Sequence, residues 1–335
     1  GVTAASARVA AEELISQGVS IITGCYDSTL TAAVAEVCQK HGIPMISGSA
    51  RDDSLTDGEQ SFASVFNRIA MSSIQETDLF LNYLNQYNLT TSAGIQSAAI
   101  AYINNDYGNT AAEYLETSLN NNGLQVVAIV GYDASSTDFA EPASRMIANA
   151  PDVIFQISST NDLIGMAQVY QGASFTPDLA LCYSGGFQQQ EFLTAASELG
   201  VEFYSGVMVC PDILYDDGDP ETTDAKEAAA DIFSYIDQLY RQRTQQGMDT
   251  SAYLEFASII VAAQAVDAAG TTDPETLNTV LKETSFAAPY LFSGTIDFDE
   301  QGQNSISSGY IATIYGGRYQ WVFSPVNTEQ NSLAN

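Results

Sequence analysis

The sequence predicts an α/β protein with two lobes, each built on a parallel sheet. Strand-like segments such as "VSIITG" and "SAAIAYI" alternate with helical segments of about ten to fifteen residues, which is the pattern of βαβ units. The alternation runs as two successive series, beginning near Val19 and near Ser97. The chain has 335 residues, more than a single domain usually contains. Two Rossmann-like lobes are therefore expected.

The first series opens with a helix that Gly18 ends and continues with the strand "VSIITG". A helix follows from Ser28 to Lys40, and we expect Ser28 to cap its N-terminus. The strands "IPMIS" and "SFASVFNRIA" come next, and a helix near Glu76 to Tyr87 closes the series. This order predicts a small parallel sheet covered by helices.

The second series alternates in the same way from "SAAIAYI" to "YSGVMVC". Two long helices then follow, at 224–246 and 251–269, and a third begins after Asp273 with Pro274 in its first turn. The tail "GTIDFDEQGQNSISSGYIATIYGGRYQWVF" changes character and predicts short antiparallel strands joined by the turns "DEQGQ" and "YGGR". No low-complexity linker separates the lobes, so the chain is expected to cross between them several times.

The charge balance narrows the range of partners. There are 41 acidic and 10 basic residues, a net charge of −31. Nucleic-acid binding requires the opposite sign, and anionic membrane surfaces would also repel this chain. No apolar run approaches the roughly 20 residues of a membrane span. The acidity therefore indicates a solvated, soluble surface.

The four cysteines contain no CxxC pair, which argues against a zinc or thioredoxin-type site. They are Cys25, Cys38, Cys182 and Cys210. Buried free thiols are expected for such residues. A disulfide between Cys182 and Cys210 is the alternative, if their strands are neighbours and the compartment is oxidising.

Residues for catalysis are scarce. The one histidine, His41, ends a helix before Gly42 and is expected to act as a C-terminal dipole partner. Nothing around it suggests a Ser-His-Asp site, and no phosphate-binding glycine loop is present. The sequence therefore predicts no enzyme activity, no catalytic residue, no cofactor and no metal site.

Three motifs in order give the chain a family resemblance. They are "AAEELISQGVSIITGCYDSTLTAAVAEVCQKHGIPMISGSARDDSLTD", "AAIAYINNDYGNTAAEYL" and "GTIDFDEQGQ". Together they resemble the substrate-binding proteins of branched-chain amino acid (Leu/Ile/Val)-type ABC transporters, which have the type I periplasmic binding protein fold. The resemblance spans nearly the whole chain. It implies two lobes joined by a multi-strand hinge, with a ligand held in the cleft between them.

The resemblance also implies lobe boundaries. Lobe 1 is expected at residues 1–86 plus 211–285, and lobe 2 at 87–210 plus 286–335. The family normally opens with a strand, a helix and another strand before the point where this sequence begins inside a helix. That N-terminal strand-helix-strand is expected to be missing here, as in a processed or truncated chain.

On lobe 1, the resemblance assigns ligand binding to two loops. In "GCYDSTL", Ser28 would hold a ligand carboxylate at the helix start, where capping and anion binding share one geometry. Tyr26 would pack over the ligand, or be structural, and Asp27 lies beside it. In the second loop, Ser49, Ala50 and the residue after them would hold the polar head. These two loops follow neighbouring strands, where α/β sheets bind ligands.

Arg51 departs from the family pattern, which has threonine at this place in a Ser-Ala-Thr loop. Arginine offers a planar fork of donors suited to a carboxylate. Arg51 is therefore expected to be exposed and to bind an anionic ligand group. The alternative is a salt bridge to Asp52, Asp53 or Asp57. Arg68 in "VFNRIA" matches a family arginine that is interpreted as mainly structural.

On lobe 2, the resemblance assigns Tyr107 of "NDYGN" to stacking on the ligand, with a core tyrosine as the alternative. Ser159 or Thr160 falls where some members of the family place a second aromatic residue. The ligand site of this chain is therefore expected to be more polar than the site of those members. Gly185 falls where amino-acid binders can carry a carboxylate for the ligand's ammonium group. The absence of a carboxylate at position 185 weakens the interpretation of the ligand as a simple amino acid, unless Asp27 or Asp52 supplies the negative charge.

The resemblance predicts a solute-binding protein of an ABC importer that captures a small polar ligand by lobe closure. An amino acid or a related carboxylate or amide is the expected ligand, and permease subunits are the expected partners. The chain is expected to be an exported monomer in the periplasm or at the cell surface, with a lipoprotein anchor as an option, and to bind no nucleic acid. A ligand-sensing domain of a receptor or regulator is the alternative, since fold does not fix function. A neighbouring permease gene would favour the importer, whereas a kinase or DNA-binding domain on the same chain would favour the sensor.

Overall fold

The chain folds into two compact units, each made of two chain segments. Unit 1 comprises Gly1–Ser72 and Val209–Ser308, and unit 2 comprises Ser73–Met208 and Gly309–Asn335. The chain therefore passes between the units three times. A computed structural model describes residues 2–58, 61–91, 94–201, 203–208, 220–245, 247–291 and 293–324.

Unit 1 begins with a short parallel sheet and two helices. Its elements are, in chain order, α1 (Ala4–Ser16), β1 (Ile22–Thr23), α2 (Ser28–His41), β2 (Met45–Ser47) and β3 (Phe66–Arg68). The sheet order is β1-β2-β3, and Met45 pairs with both Ile22 and Phe66. These strands are buried, and Val34 of α2 and Ala11 of α1 belong to the same apolar core. The carboxyl ends of the three parallel strands consequently share one edge.

The two helices of this region are also joined by charges on their exposed faces. Lys40 Nζ lies 2.9 Å from Glu12 Oε1, and His41 Nε2 lies 2.9 Å from Glu12 Oε2. His41 occupies the last turn of α2, as the sequence predicts, before Gly42 in the left-handed conformation. Its surroundings are those of a helix end.

Unit 2 is built on a larger sheet with helices between its strands. Its elements are, in chain order, α3 (Ser73–Thr91), β4 (Ser97–Ile103), α4 (Asp106–Asn121), β5 (Gln125–Tyr132), α5 (Ala140–Ile147), β6 (Val153–Ile157), α6 (Thr160–Gly172), β7 (Leu179–Cys182), α7 (Ser184–Phe187), α8 (Gln190–Leu199) and β8 (Tyr204–Met208). Strands β8-β7-β6-β4-β5 are adjacent in this order and parallel. Every residue of the runs "VIFQI" and "LALC" is buried, as expected for strands covered on both faces.

The chain then returns to unit 1. The elements there are α9 (Pro220–Thr244), α10 (Thr250–Ala269), α11 (Pro274–Glu283), β9 (Phe286–Ala287) and β10 (Thr295–Ile296), the last two forming an antiparallel pair. Among the described residues, α10 is long and apolar enough to cross a membrane by length and composition alone. The core helix of a soluble protein passes the same test. The side chains of Tyr253, Leu254, Ala257 and Val261 are buried, and α10 packs against β1 and β2.

Two further strands complete unit 2: β11 (Tyr310–Tyr315) and β12 (Arg318–Phe323). They extend the large sheet in the order β12-β11-β8, and both pairings are antiparallel. The "YGGR" turn joins them, and Gly316 and Gly317 both have positive φ angles. The predicted antiparallel tail is therefore present, as is the parallel α/β architecture that precedes it.

The units differ from the expected lobes at two segments. Residues 73–86 belong to unit 2 because α3 packs against α4 and β11. Residues 286–308 belong to unit 1 because β9 contacts α10 and Gln303 hydrogen-bonds to Arg68. The sequence pattern predicts crossings after residues 86 and 285, whereas the unit boundaries follow Ser72 and Ser308.

The cysteines in the described part of the chain are thiols. Cys38 and Cys182 are buried and Cys25 is half-buried. Burial raises the pKa of Cys38 to about 12, so this thiol stays protonated at neutral pH. Cys210 lies outside the described residues, and a Cys182–Cys210 pairing stays a prediction.

Candidate ligand-binding residues

The loop between β1 and α2 is organised differently from the sequence prediction. Asp27, and not Ser28, is the N-cap of α2, and its Oδ1 accepts the Leu30 N–H at 2.7 Å. Ser28 is the first helical residue. Its Oγ accepts the N–H groups of Arg51 and Asp52, both at 3.1 Å. The expected capping role of Ser28 is therefore wrong, because Asp27 takes that role and frees Ser28 to reach the second loop.

The bonds that Ser28 makes leave its proton available. A serine hydroxyl has two acceptor lone pairs and one hydrogen to donate. The two N–H groups occupy the lone pairs, and in the described part of the chain Ser28 Oγ donates to no acceptor. The half-buried Ser28 hydroxyl can therefore donate to an anion, at the start of a helix whose dipole also favours negative charge.

The second loop is pinned against α10 at the end of β2. A Cβ atom at Gly48 would lie 2.4 Å from the carbonyl carbon of Leu254, so only glycine allows this approach. Ser49 Oγ donates to the Ser251 carbonyl at 3.4 Å, and the Ala50 N–H donates to Ser47 Oγ at 3.1 Å. The loop that carries Ser49, Ala50 and Arg51 is thus fixed by its own serines and by the helix.

Arg51 is buried, with 5% of its surface exposed, in contrast to the exposed side chain that the sequence predicts. Its Nη1 donates to the Ser49 carbonyl at 2.9 Å, which curls the side chain back over its own loop. The loop itself is bonded to α2 through the Arg51 N–H and Ser28 Oγ, and to α10 through Ser49 Oγ and the Ser251 carbonyl. Whether Arg51 binds a ligand or braces the loop stays a prediction.

Asp27 and Asp52, the two acids considered for a ligand ammonium group, serve as caps. Asp52 Oδ1 accepts the Ser54 N–H at 3.0 Å and caps a short 3₁₀ turn. Burial raises the pKa of Asp52 above its ordinary value, although its hydrogen bonds with Ser54 oppose the rise. Asp27 caps α2 through its bond to Leu30. Tyr26, which precedes Asp27, is 56% exposed, and its packing over a ligand stays a prediction.

Arg68 has the structural surroundings that its motif suggests. It is fully buried, and it donates to Gln303 Oε1 at 2.6 Å, to the Asp52 carbonyl at 2.6 Å and to Thr56 Oγ1 at 2.8 Å. Burial lowers its pKa to about 10, which still leaves the guanidinium charged at neutral pH. Its own N–H donates to the Gly302 carbonyl. Arg68 therefore ties the loop after Arg51 to the "DEQGQ" turn.

In unit 2, Tyr107 lies in the first turn of α4, just after strand β4. Asn105 caps this helix by accepting the Gly108 N–H at 2.8 Å. A Cβ atom at Gly108 would lie 1.8 Å from the Ile103 carbonyl oxygen. The glycine of the "DYG" motif is required because the helix starts directly against the strand end, and this places the half-buried Tyr107 ring at the carboxyl edge of the sheet.

Ser159 and Thr160 lie at the start of α6, at the same edge. Ser159 is the N-cap, and it forms a capping box in which Ser159 Oγ accepts the Asp162 N–H and Asp162 Oδ2 accepts the Ser159 N–H. Asp162 Oδ2 also accepts the Tyr132 hydroxyl at 3.2 Å. Burial, together with the charge of Asp162, raises the pKa of Tyr132. The loop is therefore polar, and the Ser159 oxygen caps α6; a polar ligand site at Ser159 or Thr160 stays a prediction.

Gly185 lies in α7, after the carboxyl end of β7. A Cβ atom at this position would meet nothing within 4 Å, so there is space in the direction of a side chain. The preceding residue, Ser184, binds the carboxylate of Glu76, an acid that none of the sequence motifs marks. The sequence signal that could have indicated Glu76 is its helical spacing: it lies on the same buried face of α3 as Leu79, Phe80 and Tyr83.

Comparison with known proteins decides the family. A model of the periplasmic binding protein family matches residues 1–318. The chain belongs to this family. Periplasmic binding proteins of ABC transporters bind small molecules outside the cytoplasm and interact with permeases, and they are not enzymes. The resemblance that the three motifs predict is confirmed.

Individual relatives are distant. A Leu/Ile/Val-binding protein homolog of Brucella abortus is 24% identical over 181 residues, which are 54% of this chain and 45% of that protein. The alignment thus spans less than half the length of that relative. A leucine-binding protein of Thermotoga maritima has a similar structure, with 18% identity, a TM-score of 0.76, and coverage of 97% of this chain and 86% of the other. A solute-binding protein of R. palustris in complex with benzoate has 16% identity, a TM-score of 0.75, and coverage of 96% and 82%. The similarity to these two structures supports the fold.

Proposed function

We propose that this chain is the exported solute-binding protein of an ABC importer and that it captures a small ligand bearing one carboxylate. The observation that carries the proposal is the Ser28 hydroxyl, whose two lone pairs are occupied by backbone N–H groups and whose proton is available. A carboxylate oxygen is the acceptor that this proton suits best, because hydrogen bonds to charged groups are the stronger ones.

The neighbourhood of Ser28 supports an anionic group. The N-terminus of α2 contributes its dipole. Arg51, whose backbone N–H donates to Ser28 Oγ, also carries a positively charged guanidinium. A net charge of −31 acts in the opposite direction, since it slows the approach of anions. A neutral or zwitterionic ligand with one carboxylate is therefore favoured over a dianion.

The remainder of the ligand would contact unit 2, with lobe closure completing the site. Tyr107, Thr160 and the open position at Gly185 all lie near the carboxyl edge of the unit 2 sheet. The names of the similar structures support an amino acid such as leucine or an aromatic acid such as benzoate as the ligand. As in the family, we propose a monomer that delivers its ligand to a permease at the outer face of the membrane.

A thermal-shift screen of L-leucine, other amino acids, amides, short peptides and benzoates tests the proposal, since a ligand of the native state raises the melting temperature. Calorimetry on Ser28→Ala then tests the site. Loss of a hydrogen bond to a charged group is expected to weaken binding by about 1.5–3 kcal/mol, which is tenfold or more in Kd.

Ser47→Ala is the matched control. Ser47 Oγ also accepts a backbone N–H of the same loop, from Ala50, but its proton already goes to the Cys25 carbonyl at 3.2 Å. Both variants should lose stability, and only Ser28→Ala should lose affinity beyond what the loop change causes. Equal losses of affinity in the two variants would remove Ser28 from the ligand site. A screen in which no small molecule raises the melting temperature would count against the function.

A further inference from the structure

Glu76 is a carboxylate inside the core of unit 2. It lies in the first turn of α3 on the same face as Leu79, Phe80 and Tyr83, and it has no exposed surface. Burying a carboxylate is unfavourable unless hydrogen bonds compensate the lost water. An acid at such a position therefore indicates a specific task for its oxygens.

That task includes holding Ser184, which is 108 residues away in the sequence. Glu76 Oε2 accepts the Ser184 N–H at 3.1 Å, and Glu76 Oε1 accepts the Ser184 hydroxyl. The next residue of α3, Thr77, hydrogen-bonds through its hydroxyl to the Tyr183 hydroxyl at 2.6 Å. One turn further on, Phe80 packs edge-on against the Tyr183 ring at 5.1 Å. The first two turns of α3 thus fix the Tyr183–Ser184 segment.

This segment leads directly into a candidate ligand position. It follows the carboxyl end of β7, the edge at which parallel sheets of this kind bind ligands. Gly185 comes next, and a Cβ atom built on it would meet nothing within 4 Å. Glu76 therefore places a buried carboxylate against the residue that precedes Gly185.

We propose that Glu76 is a positioning residue of the ligand site: it fixes Ser184 so that Gly185 is presented to the ligand, and its charge favours a ligand with an ammonium group at that end. The inference rests on the proposed function. In a desolvated site, a carboxylate attracts a cation and repels a second carboxylate more strongly than it does in water. In this proposal the Glu76 carboxylate on α3 supplies the negative charge that Gly185, which has no side chain, does not provide.

The chain offers a matched control in Asp152. Its Oδ2 accepts the Ser97 N–H and the Ser97 hydroxyl, each at 2.8 Å, so it makes the same pair of bonds to a serine. Burial would raise the pKa of Asp152, but hydrogen bonds from Gln96 and Ser97 lower it below its ordinary value. Asp152 immediately precedes β6, so it lies at the amino ends of the strands, away from Gly185.

Two measurements test the proposal on the whole chain. The first is amide hydrogen exchange without ligand, in which Glu76→Gln should speed exchange at residues 183–188 by tenfold or more. Asp152→Asn should instead speed exchange near residue 97. The second is the ratio of Kd values for L-leucine and for 4-methylpentanoate, which is leucine without its ammonium group. Glu76→Gln should shift this ratio toward 4-methylpentanoate by tenfold or more, and Asp152→Asn should leave it unchanged.

Unchanged exchange at residues 183–188 in Glu76→Gln would overturn the positioning role, and an unchanged ratio would overturn the charge preference. Ser184→Ala keeps the charge and removes one bond, so exchange should rise while the ratio stays. This variant decides the positioning role if Glu76→Gln does not fold. If the wild-type chain binds neither probe nor any other compound, the proposed function fails, and the exchange measurement still decides whether Glu76 fixes the segment.

Discussion

Replacing Arg51 tests the ligand site most directly. If its guanidinium binds a ligand carboxylate, Arg51→Ala removes a hydrogen bond between charged groups, worth about 1.5–3 kcal/mol. This corresponds to a loss of roughly 10- to 150-fold in affinity. Arg51→Lys should also weaken binding, because a single ammonium cannot reproduce the planar fork of donors.

The structure adds a stability effect to this prediction. Arg51 is only 5% exposed, and its Nη1 donates to the Ser49 carbonyl at 2.9 Å. An exposed arginine would hardly change the free energy of unfolding, but removal of this buried group leaves the Ser49 carbonyl without that donor. We expect Arg51→Ala to destabilise unit 1 by about 1–3 kcal/mol.

The assay is calorimetry with the best ligand of the screen, paired with urea unfolding of the same preparations. The two expected losses are separable because affinity is measured on the folded protein. Unchanged affinity in Arg51→Ala, with a lower free energy of unfolding, would refute the reasoning. It would show that Arg51 only braces its loop, which is the alternative that the sequence leaves open.

Two further predictions concern the frame around the site. Arg68→Lys should lower the free energy of unfolding by about 3 kcal/mol or more in urea titrations, because lysine cannot bond to Gln303, Asp52 and Thr56 together; a loss below 1 kcal/mol would contradict this. Burial lowers the pKa of Lys282 to about 8, so between about pH 8 and 10.5 the unfolded chain binds more protons there, and Lys282 makes stability rise with pH in that window. The difference between wild type and Lys282→Met, measured from pH 7 to 10.5, should show this slope, and parallel curves would be incompatible with it.

The fold follows from local patterns that a sequence displays openly. The alternation of apolar strands with amphipathic helices predicts the parallel sheets, and "YGGR" predicts the turn of the β11–β12 hairpin. Gly108 is a further local signal, since a Cβ atom there cannot coexist with the Ile103 carbonyl. Each of these features depends on neighbours within a few residues.

The site was less predictable because its contacts join distant residues. Asp27 and Ser28 are both good capping residues, and the partners of Ser28 lie 23 and 24 residues further on. The position of Arg51 after a strand predicts an exposed side chain, and only the packing of its loop shows that the side chain is buried. Glu76 looks like an ordinary helical acid until Ser184 is placed against it. Periodicity indicates which face of an element is buried, but not which polar groups meet there.

The bond between Arg68 and Gln303 has a consequence for how the chain matures. The two residues are 235 positions apart, and all of the contiguous segment Ser73–Met208 lies between them. During synthesis, the parallel strands of that inner segment can pair as soon as they emerge, while unit 1 must wait for its second half. Until residue 303 appears, the Arg68 guanidinium, which is fully buried in the folded chain, lacks one of its three acceptors, the Gln303 side chain. The parallel strands of the inner segment are therefore expected to begin folding before unit 1 is complete, although N-terminal domains usually fold first.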